Sequence, residues 1–549
     1  MNKKTLEIIF GSGIWLWPIS YFTYINSGLA SEDFVGNITL SILPTLVMAY
    51  YYFSSHSVSD GGKRKAQHPP MSETLKFDTP NGYPLGRYGK KYVCMQYDAP
   101  GNHNILINGS SGTGKSSTAI IPAILDSKRE FLIGNDIRNE KEKCHFLILD
   151  VKGEIASYTR CPNDGSILFD PQNRNVGWGF DPLWGLDKNS SEQTIKERME
   201  TIAISIVPVA KGDNAIWGSA ARNLLTGLMI HFFKYPRADE YGNIPSKVTF
   251  PALMRMISLK PIKDTIKEVV SDCDPNSAVH MYISSYDGMA DETLSSVEFN
   301  MRNVLSHLGT DKDLIYAMDG NPRKFNPTDL LSHSIYVIIP MDKMETYGVM
   351  WNILSNLCLK YIMGLSERAE EPDRPYFGFI FDEAGAIYSQ TKCSPDILIS
   401  ALKLIRSKGG VIICANQDVP SYGSVMDDKQ LHAFLANFQY MVVLDAVDTF
   451  SQKEFADLIP KFQKRKISYS GSGKNRRTSK SWQDAPIYEK ADLASLGRQD
   501  EFVLISAACI SDNPKEPNPG FATIKKCPYY KDSYYKKLYD KVKEKQKSK

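Results

Sequence analysis

Glycines at 109, 112 and 114 crowd the run Asn108-Gly109-Ser110-Ser111-Gly112-Thr113-Gly114-Lys115-Ser116-Ser117. Glycine lets a backbone curl tightly enough for several N–H groups to face one anion. A lysine in the next position reaches the β- and γ-phosphates of a nucleoside triphosphate, and the hydroxyl after it reaches Mg²⁺. The apolar residues 105–107 ahead of the run read as a strand. Ile120, Ile121, Ala123 and Leu125 behind it read as a helix whose positive end faces the anion. Gly109, Ser110, Ser111, Gly112, Thr113, Gly114, Lys115, Ser116 and Ser117 therefore read as a Walker A loop for ATP with Mg²⁺.

Phosphoryl transfer also needs acids that hold the metal shell and orient water. The apolar run 377–381 ends in Asp382-Glu383, the form of a Walker B strand. Asp382 joins Ser116 as a candidate Mg²⁺ partner, and Glu383 is the candidate that polarises the attacking water. Gln417 follows a second apolar run, 410–414, at the carboxyl end where open α/β sheets bind ligands. Arg406 precedes that run at the end of a predicted helix. Position alone leaves two readings of it open, an arginine finger reaching across a subunit boundary or a helix-end charge.

These residues need a scaffold that brings strand ends together. Further strands are expected at 146–150, 334–339, 376–381, 440–444 and 501–505, with helices at 345–363 and 395–407, the alternation of a parallel α/β sheet. Between 190 and 308 the pattern changes. Apolar residues recur at three- and four-residue spacing over 195–206, 215–233, 250–257, 262–271 and 292–308, which predicts an all-α insertion. The 549 residues, 42% hydrophobic and 23% charged, give room for several cored domains. Nine cysteines without a C-x-x-C pair, and histidines without metal-ligand spacing, argue against a zinc site or a disulfide framework.

Residues 8–25 carry no charge and at 1.5 Å per residue span about 27 Å, enough for a bilayer core. A second apolar stretch, 34–53, follows after Ser31-Glu32-Asp33. Lys3 and Lys4 before the pair and Lys63-Arg64-Lys65 behind it put both ends on the cytoplasmic side of a two-pass anchor. Net charge is +3, yet eight basic residues and no acidic one lie between Lys461 and Lys480. That segment reads as a solvated loop suited to DNA backbone contacts, with Lys464, Arg465, Lys466, Arg476 and Arg477 as candidates. The Lys-rich stretch 533–549 reads as a basic tail, a solvated helix end.

Several further motifs occur in order: His103 before the glycine loop, Ile121-Pro122, Asp150-Val151-Lys152-Gly153-Glu154, Phe180-Asp181-Pro182-Leu183, Trp217-Gly218-Ser219-Ala220-Ala221-Arg222, Gln417-Asp418 and Cys527-Pro528-Tyr529-Tyr530-Lys531-Asp532. With these the chain resembles the coupling ATPases of type IV secretion, the TraG/TraD-type proteins of conjugation, although Val151 stands where that family usually has proline. The resemblance implies an α/β RecA-like P-loop NTPase with an inserted all-α domain and an N-terminal two-helix membrane anchor. Expected boundaries are 1–54 for the anchor, 55–72 for a linker, 73–189 with 309–532 for the nucleotide domain, and 190–308 for the insertion. It further implies a homo-hexamer at the bacterial inner membrane. Such a ring receives single-stranded DNA with its relaxase, or protein, and passes it to the secretion channel, with Lys115, Ser116, Asp382, Glu383, Gln417 and Arg406 in the ATP-site roles. Two other readings stand beside it: an FtsK/HerA-like DNA translocase of chromosome segregation, and a docking receptor whose ring nucleotide merely stabilises.

Overall fold

A computed structural model describes residues 71–98, 103–134, 143–209, 215–238, 242–470, 477–506 and 520–548. The expected membrane spans at 8–25 and 34–53 lie outside these. Among the described residues no helix is long and apolar enough to cross a membrane.

The apolar runs become strands because both of their faces are covered, which removes any need for polar alternation. Strands β4 (Ile105–Asn108), β5 (Cys144–Asp150), β6 (Ile167–Phe169), β9 (Ile335–Ile338), β10 (Tyr376–Asp382), β11 (Gly410–Asn416) and β12 (Tyr440–Val443) form the parallel run β12-β4-β11-β10-β5-β9-β6. Every residue of β4, β11 and β12 is buried. Gly378 on β10 is required by packing, since a Cβ there would stand 2.3 Å from the Phe146 ring on β5.

Beyond β12 the sheet changes direction. β15 (Glu501–Ser506) pairs antiparallel with β12, and β16 (Gly520–Lys525) continues it. Then β2 (Tyr83–Tyr88), β3 (Lys91–Met95) and β1 (Lys76–Phe77) complete a 12-stranded sheet, all antiparallel. The wholly parallel sheet expected from the sequence is thus extended on one side by strands from both ends of the described chain.

The stretch expected as an insertion folds into helices Glu192–Ile206, Ala215–Lys234, Phe250–Ser258, Ile262–Asp272, Ala278–Ile283 and Asp291–Thr310. Of these, Ala278–Ile283 was not anticipated, being too short to show a period. Short strands β7 (Gly179–Phe180) and β8 (Lys324–Phe325) pair in parallel and bring the two ends of this helical segment side by side. The long helix Met344–Met363 is buried over almost its whole circumference. Its Asn356 amide donates to Ser205 Oγ at 2.9 Å on the first helix of the insertion.

The stretch 533–549, read as a solvated helix end, is helical over 533–547 but not solvated all round. Ser533–Lys547 is a helix that buries Tyr535, Leu538 and Val542, an i, i+3, i+7 stripe. These join Tyr92, Ile121, Leu125 and Leu132 in one apolar cluster, with Lys536, Lys537 and Lys547 exposed. Asp532 caps the helix at Tyr534 N (3.0 Å) and accepts from Arg87 Nε (2.8 Å) and Tyr92 Oη (2.9 Å), fastening it to β2 and β3.

Residues 460–487 group apart from 69–459 with 488–549. The segment read as a loop is an antiparallel hairpin, β13 (Lys461–Ser470) with β14 (Arg477–Pro486), registered from Lys461↔Pro486 to Ser470↔Arg477. Its density of positive charge masks the strand signal that Ile467, Tyr469, Thr478 and Trp482 carry. Trp482 is 60% exposed.

Candidate nucleotide site

β4 lies between β12 and β11, so the loop that leaves it is gripped from both sides. Gly109 N donates to Asn416 O at 3.0 Å on the β11 side. On the β12 side the Asp445 carboxylate accepts from Ser110 N and Ser110 Oγ, both at 2.6 Å, and Asn108 Nδ2 donates to Asp445 O at 2.8 Å. Gly112 and Gly114 have φ of +83° and +102°, where an L side chain is strained, so the curl of the loop needs glycine there. Thr113 Oγ1 closes the turn on Ser110 O at 2.8 Å. After Lys115 the chain makes a wide helical turn, Ser116–Ile120, and continues as the helix Ile121–Ser127.

Lys115 is buried. Its Nζ donates to Gly109 O at 2.7 Å and lies 3.3 Å from Glu383 Oε1. Asp382 and Glu383 close β10, and Glu383 adopts φ +55°, a left-handed conformation that turns the chain into the helix Ala384–Thr391. Strain of this kind, on the very residue that carries the candidate catalytic carboxylate, is typical of functional positions. Gln417 Nε2 donates to Glu383 Oε1 at 3.2 Å. The structure therefore brings Lys115, Asp382, Glu383 and Gln417 to one cleft edge.

The electrostatics there are unbalanced. Burial pushes the Asp382 carboxyl up to about 7, and the neighbouring Glu383 and Asp150 add to the push. Burial also raises Asp150 against several backbone N–H donors, one of them Ala156 N at 2.8 Å. Asp382 Oδ1, Asp150 Oδ1 and Asn416 Nδ2 are buried without a hydrogen-bond partner. Buried polar atoms are ordinarily paired, so this cluster calls for added positive charge and donors. Against the three carboxylates stand Lys115 and, more weakly, Lys152, and a hydrated Mg²⁺ held through Ser116 and Asp382 beside a triphosphate fits the donor set.

Other sequence candidates lie elsewhere. Arg406 is exposed in the turn Ile405–Lys408 before β11. The seven residues of β11, at about 3.3 Å each, put roughly 20 Å between that end and Asn416. Arg406 instead neighbours His103, which leads into β4. Lys464, Arg465 and Lys466 lie on β13 and Arg477 opens β14, while Arg476 falls outside the described residues.

Asp445 was missed. An acid directly after the predicted strand 440–444 was the available signal, but only the adjacency of β12 and β4 reveals its role. Tyr529 stands in the sequence only as part of its motif, yet its backbone N–H donates to Ser117 O at 3.0 Å, beside the phosphate loop.

Residues 72–549 match the family described as type IV secretory system conjugative DNA transfer. No curated protein matches. Among solved structures, the chain superposes on the bacterial conjugative coupling protein TrwBdeltaN70 in its unbound form with a TM-score of 0.56 at 16% identity, covering 82% of this chain and 89% of that one. For plasmid coupling protein TrwB in complex with the non-hydrolysable ATP analogue ADPNP the TM-score is 0.57 at 16% identity, with coverage of 83% and 92%. TrwB with ADP and Mg²⁺ gives 0.55 at 16% identity, with coverage of 83% and 92%. Identity this low speaks to the fold alone, a mixed α/β P-loop architecture on a large parallel sheet. Because the family match spans most of the sequence, the chain belongs to the type IV secretory system conjugative DNA transfer family.

Proposed function

We propose that this protein is a membrane-anchored ATPase that recruits DNA with its relaxase, or protein cargo, and couples ATP hydrolysis to transfer through a type IV secretion channel. The observation that carries this reading is the convergence of Lys115, Asp382, Glu383 and Gln417 at one cleft, with buried polar atoms still lacking partners. TrwB, whose fold this chain shares, has been solved with an ATP analogue and with ADP and Mg²⁺, which supports the same ligands here.

Bound Mg²⁺ supplies positive charge against the phosphates. Backbone N–H groups of residues 112–116 cradle the phosphates, and Lys115 exchanges its contacts with Gly109 O and Glu383 for them. Glu383, freed of the lysine, accepts the proton of the attacking water, with Gln417 fixing its carboxylate. Arg406, far from its own chain's loop, acts on a neighbouring subunit's nucleotide in a homo-hexameric ring. The spans 8–25 and 34–53 anchor this ring in the inner membrane with both termini cytoplasmic. The basic hairpin β13–β14 contacts DNA backbone. Family membership favours this reading over the chromosome-segregation translocase.

The test is Glu383→Gln in the full chain. Unchanged ATP binding, with hydrolysis and conjugative DNA transfer both lost, is expected. Normal transfer by that variant would instead mean a docking receptor for which nucleotide only holds the ring.

A further inference from the structure

The motif Cys527-Pro528-Tyr529-Tyr530-Lys531-Asp532 is built firmly into the structure, yet the hydrolytic chemistry makes no use of it. Its position is fixed twice. Asp532 is held by Arg87 and Tyr92, and Tyr529 N donates to Ser117 O at 3.0 Å, one residue past the candidate metal hydroxyl of Ser116. The Tyr529 ring lies 5.5 Å from the Tyr158 ring at a 37° tilt, and both side chains line the same cleft as Lys115. Tyr158 comes from the helix Glu154–Thr159, directly after the Asp150 motif.

The pair is supported from behind by the C-terminal helix. The Tyr539 ring stands 4.8 Å from Tyr529 and 6.0 Å from Tyr158, and Lys543 Nζ lies 5.4 Å from the Tyr158 ring centre. Gln546 Nε2 donates to Ser157 O and Arg160 O at 3.0 and 2.8 Å, bracing the helix that carries Tyr158. Tyr529 is buried at 8% exposure among the Tyr158, Tyr530 and Tyr539 rings, whereas Tyr158 is partly exposed, so the supported pair presents chiefly the Tyr158 ring to the phosphate site.

A triphosphate seated on the loop has its γ end at Lys115 and Glu383. Its nucleoside must leave in the other direction, past Ser117, where the two tyrosines stand. We infer that Tyr158, backed by Tyr529, forms an aromatic wall that receives the purine base of the nucleotide by stacking. A stacked face reads no base edge, so adenine and guanine are accepted alike. This inference rests on the ATP-site reading and extends it to the part of the ligand that reading leaves unassigned.

The experiment measures equilibrium binding of ATP, GTP and inorganic tripolyphosphate to the full chain in detergent. Tyr529→Ala and Tyr158→Ala are each expected to weaken ATP and GTP about tenfold and equally, with tripolyphosphate unchanged. Tyr529→Phe and Tyr158→Phe keep the ring and bind ATP normally. Equal loss of ATP and tripolyphosphate would show a merely structural role and overturn the inference, as would undiminished ATP binding by the alanine variants. Should alanine unfold the chain, Tyr158→Leu, which keeps most of the packing volume, is read by the same criterion. Lys115→Ala serves as the separate control. It must weaken tripolyphosphate, and if it does not, the phosphate-loop reading fails rather than the aromatic wall.

Discussion

The two banks of the nucleotide cleft are finished to different degrees. On the loop bank the bonds that set the curve are made within the protein: Asp445 holds Ser110 twice, Asn416 O takes Gly109 N, and Thr113 closes the turn, with Asn108 Oδ1 the buried atom left over. On the acid bank Asp382 and Asp150 each leave an oxygen unpaired in a buried setting, and Glu383 sits in a strained backbone conformation. The loop is thus pre-shaped for phosphate, whereas the acid bank is complete only with ligand. Preorganised donors cost nothing at the moment of reaction, and unpaired buried carboxylates store a cost that a bound cation relieves.

The largest effect belongs to the group between the banks. Lys115→Ala should lower ATP hydrolysis by the full chain by roughly a thousandfold, read by steady-state phosphate release, as expected when a charged transition-state contact is lost. Retained hydrolysis would remove the site altogether.

Next comes the acid bank. The folded-state Asp382 carboxyl, raised to about 7 from 3.8, prefers its protonated form, so stability falls as pH climbs from about 4 to 7 and stays low above. In nucleotide- and magnesium-free buffer, Asp382→Asn should therefore stabilise the chain by about 2–4 kcal/mol at pH 8 while abolishing Mg²⁺-dependent hydrolysis. A gain that does not shrink toward pH 4 would contradict the unpaired buried charge.

The loop bank should respond in the opposite sense. Asp445→Ala deprives two loop donors of a charged acceptor and should cost about 2–3 kcal/mol in denaturant unfolding, with weaker nucleotide binding. If both variants shift stability in the same direction, the contrast between the banks is wrong.

The smallest effect lies at the far end of β4. His103 is 5% exposed, and burial, with Arg406 nearby, lowers it from 6.5 to about 4. A buried neutral histidine favours folding above pH 6.5 and loses that advantage as pH falls from 6.5 toward 4, by at most roughly 3 kcal/mol. His145, lowered to about 4 chiefly by burial, acts in the same window. His103→Gln should flatten part of the acid limb of a stability profile and leave hydrolysis at pH 8 unchanged.

What the sequence made legible was local. The loop, the acid pair and the strands 146–150, 376–381 and 410–414 are contiguous runs whose apolar character follows from burial on both faces. The insertion's longer helices declared themselves by period. Asp445 acts on a residue 335 positions away, and nothing in its neighbourhood predicts that β12 lies beside β4. The same holds for Tyr529, brought to the loop by β16 and the C-terminal helix. β2 and β3 went unread because Gly86, Tyr88 and Lys91 interrupt any alternation. The hairpin was hidden by its lysines and arginines, which satisfy a strand geometry that their charge disguises.

The pairing of Arg87 with Asp532 spans 445 residues and ties the first described strands to the last helix. During synthesis the glycine loop therefore leaves the ribosome long before its Asp445 brace, and longer still before Tyr529 and the helix behind it. A partly made chain owns the phosphate-binding sequence without the means to hold or enclose a nucleotide. The candidate site is thereby left unassembled until residues as far along as Tyr529 have been translated.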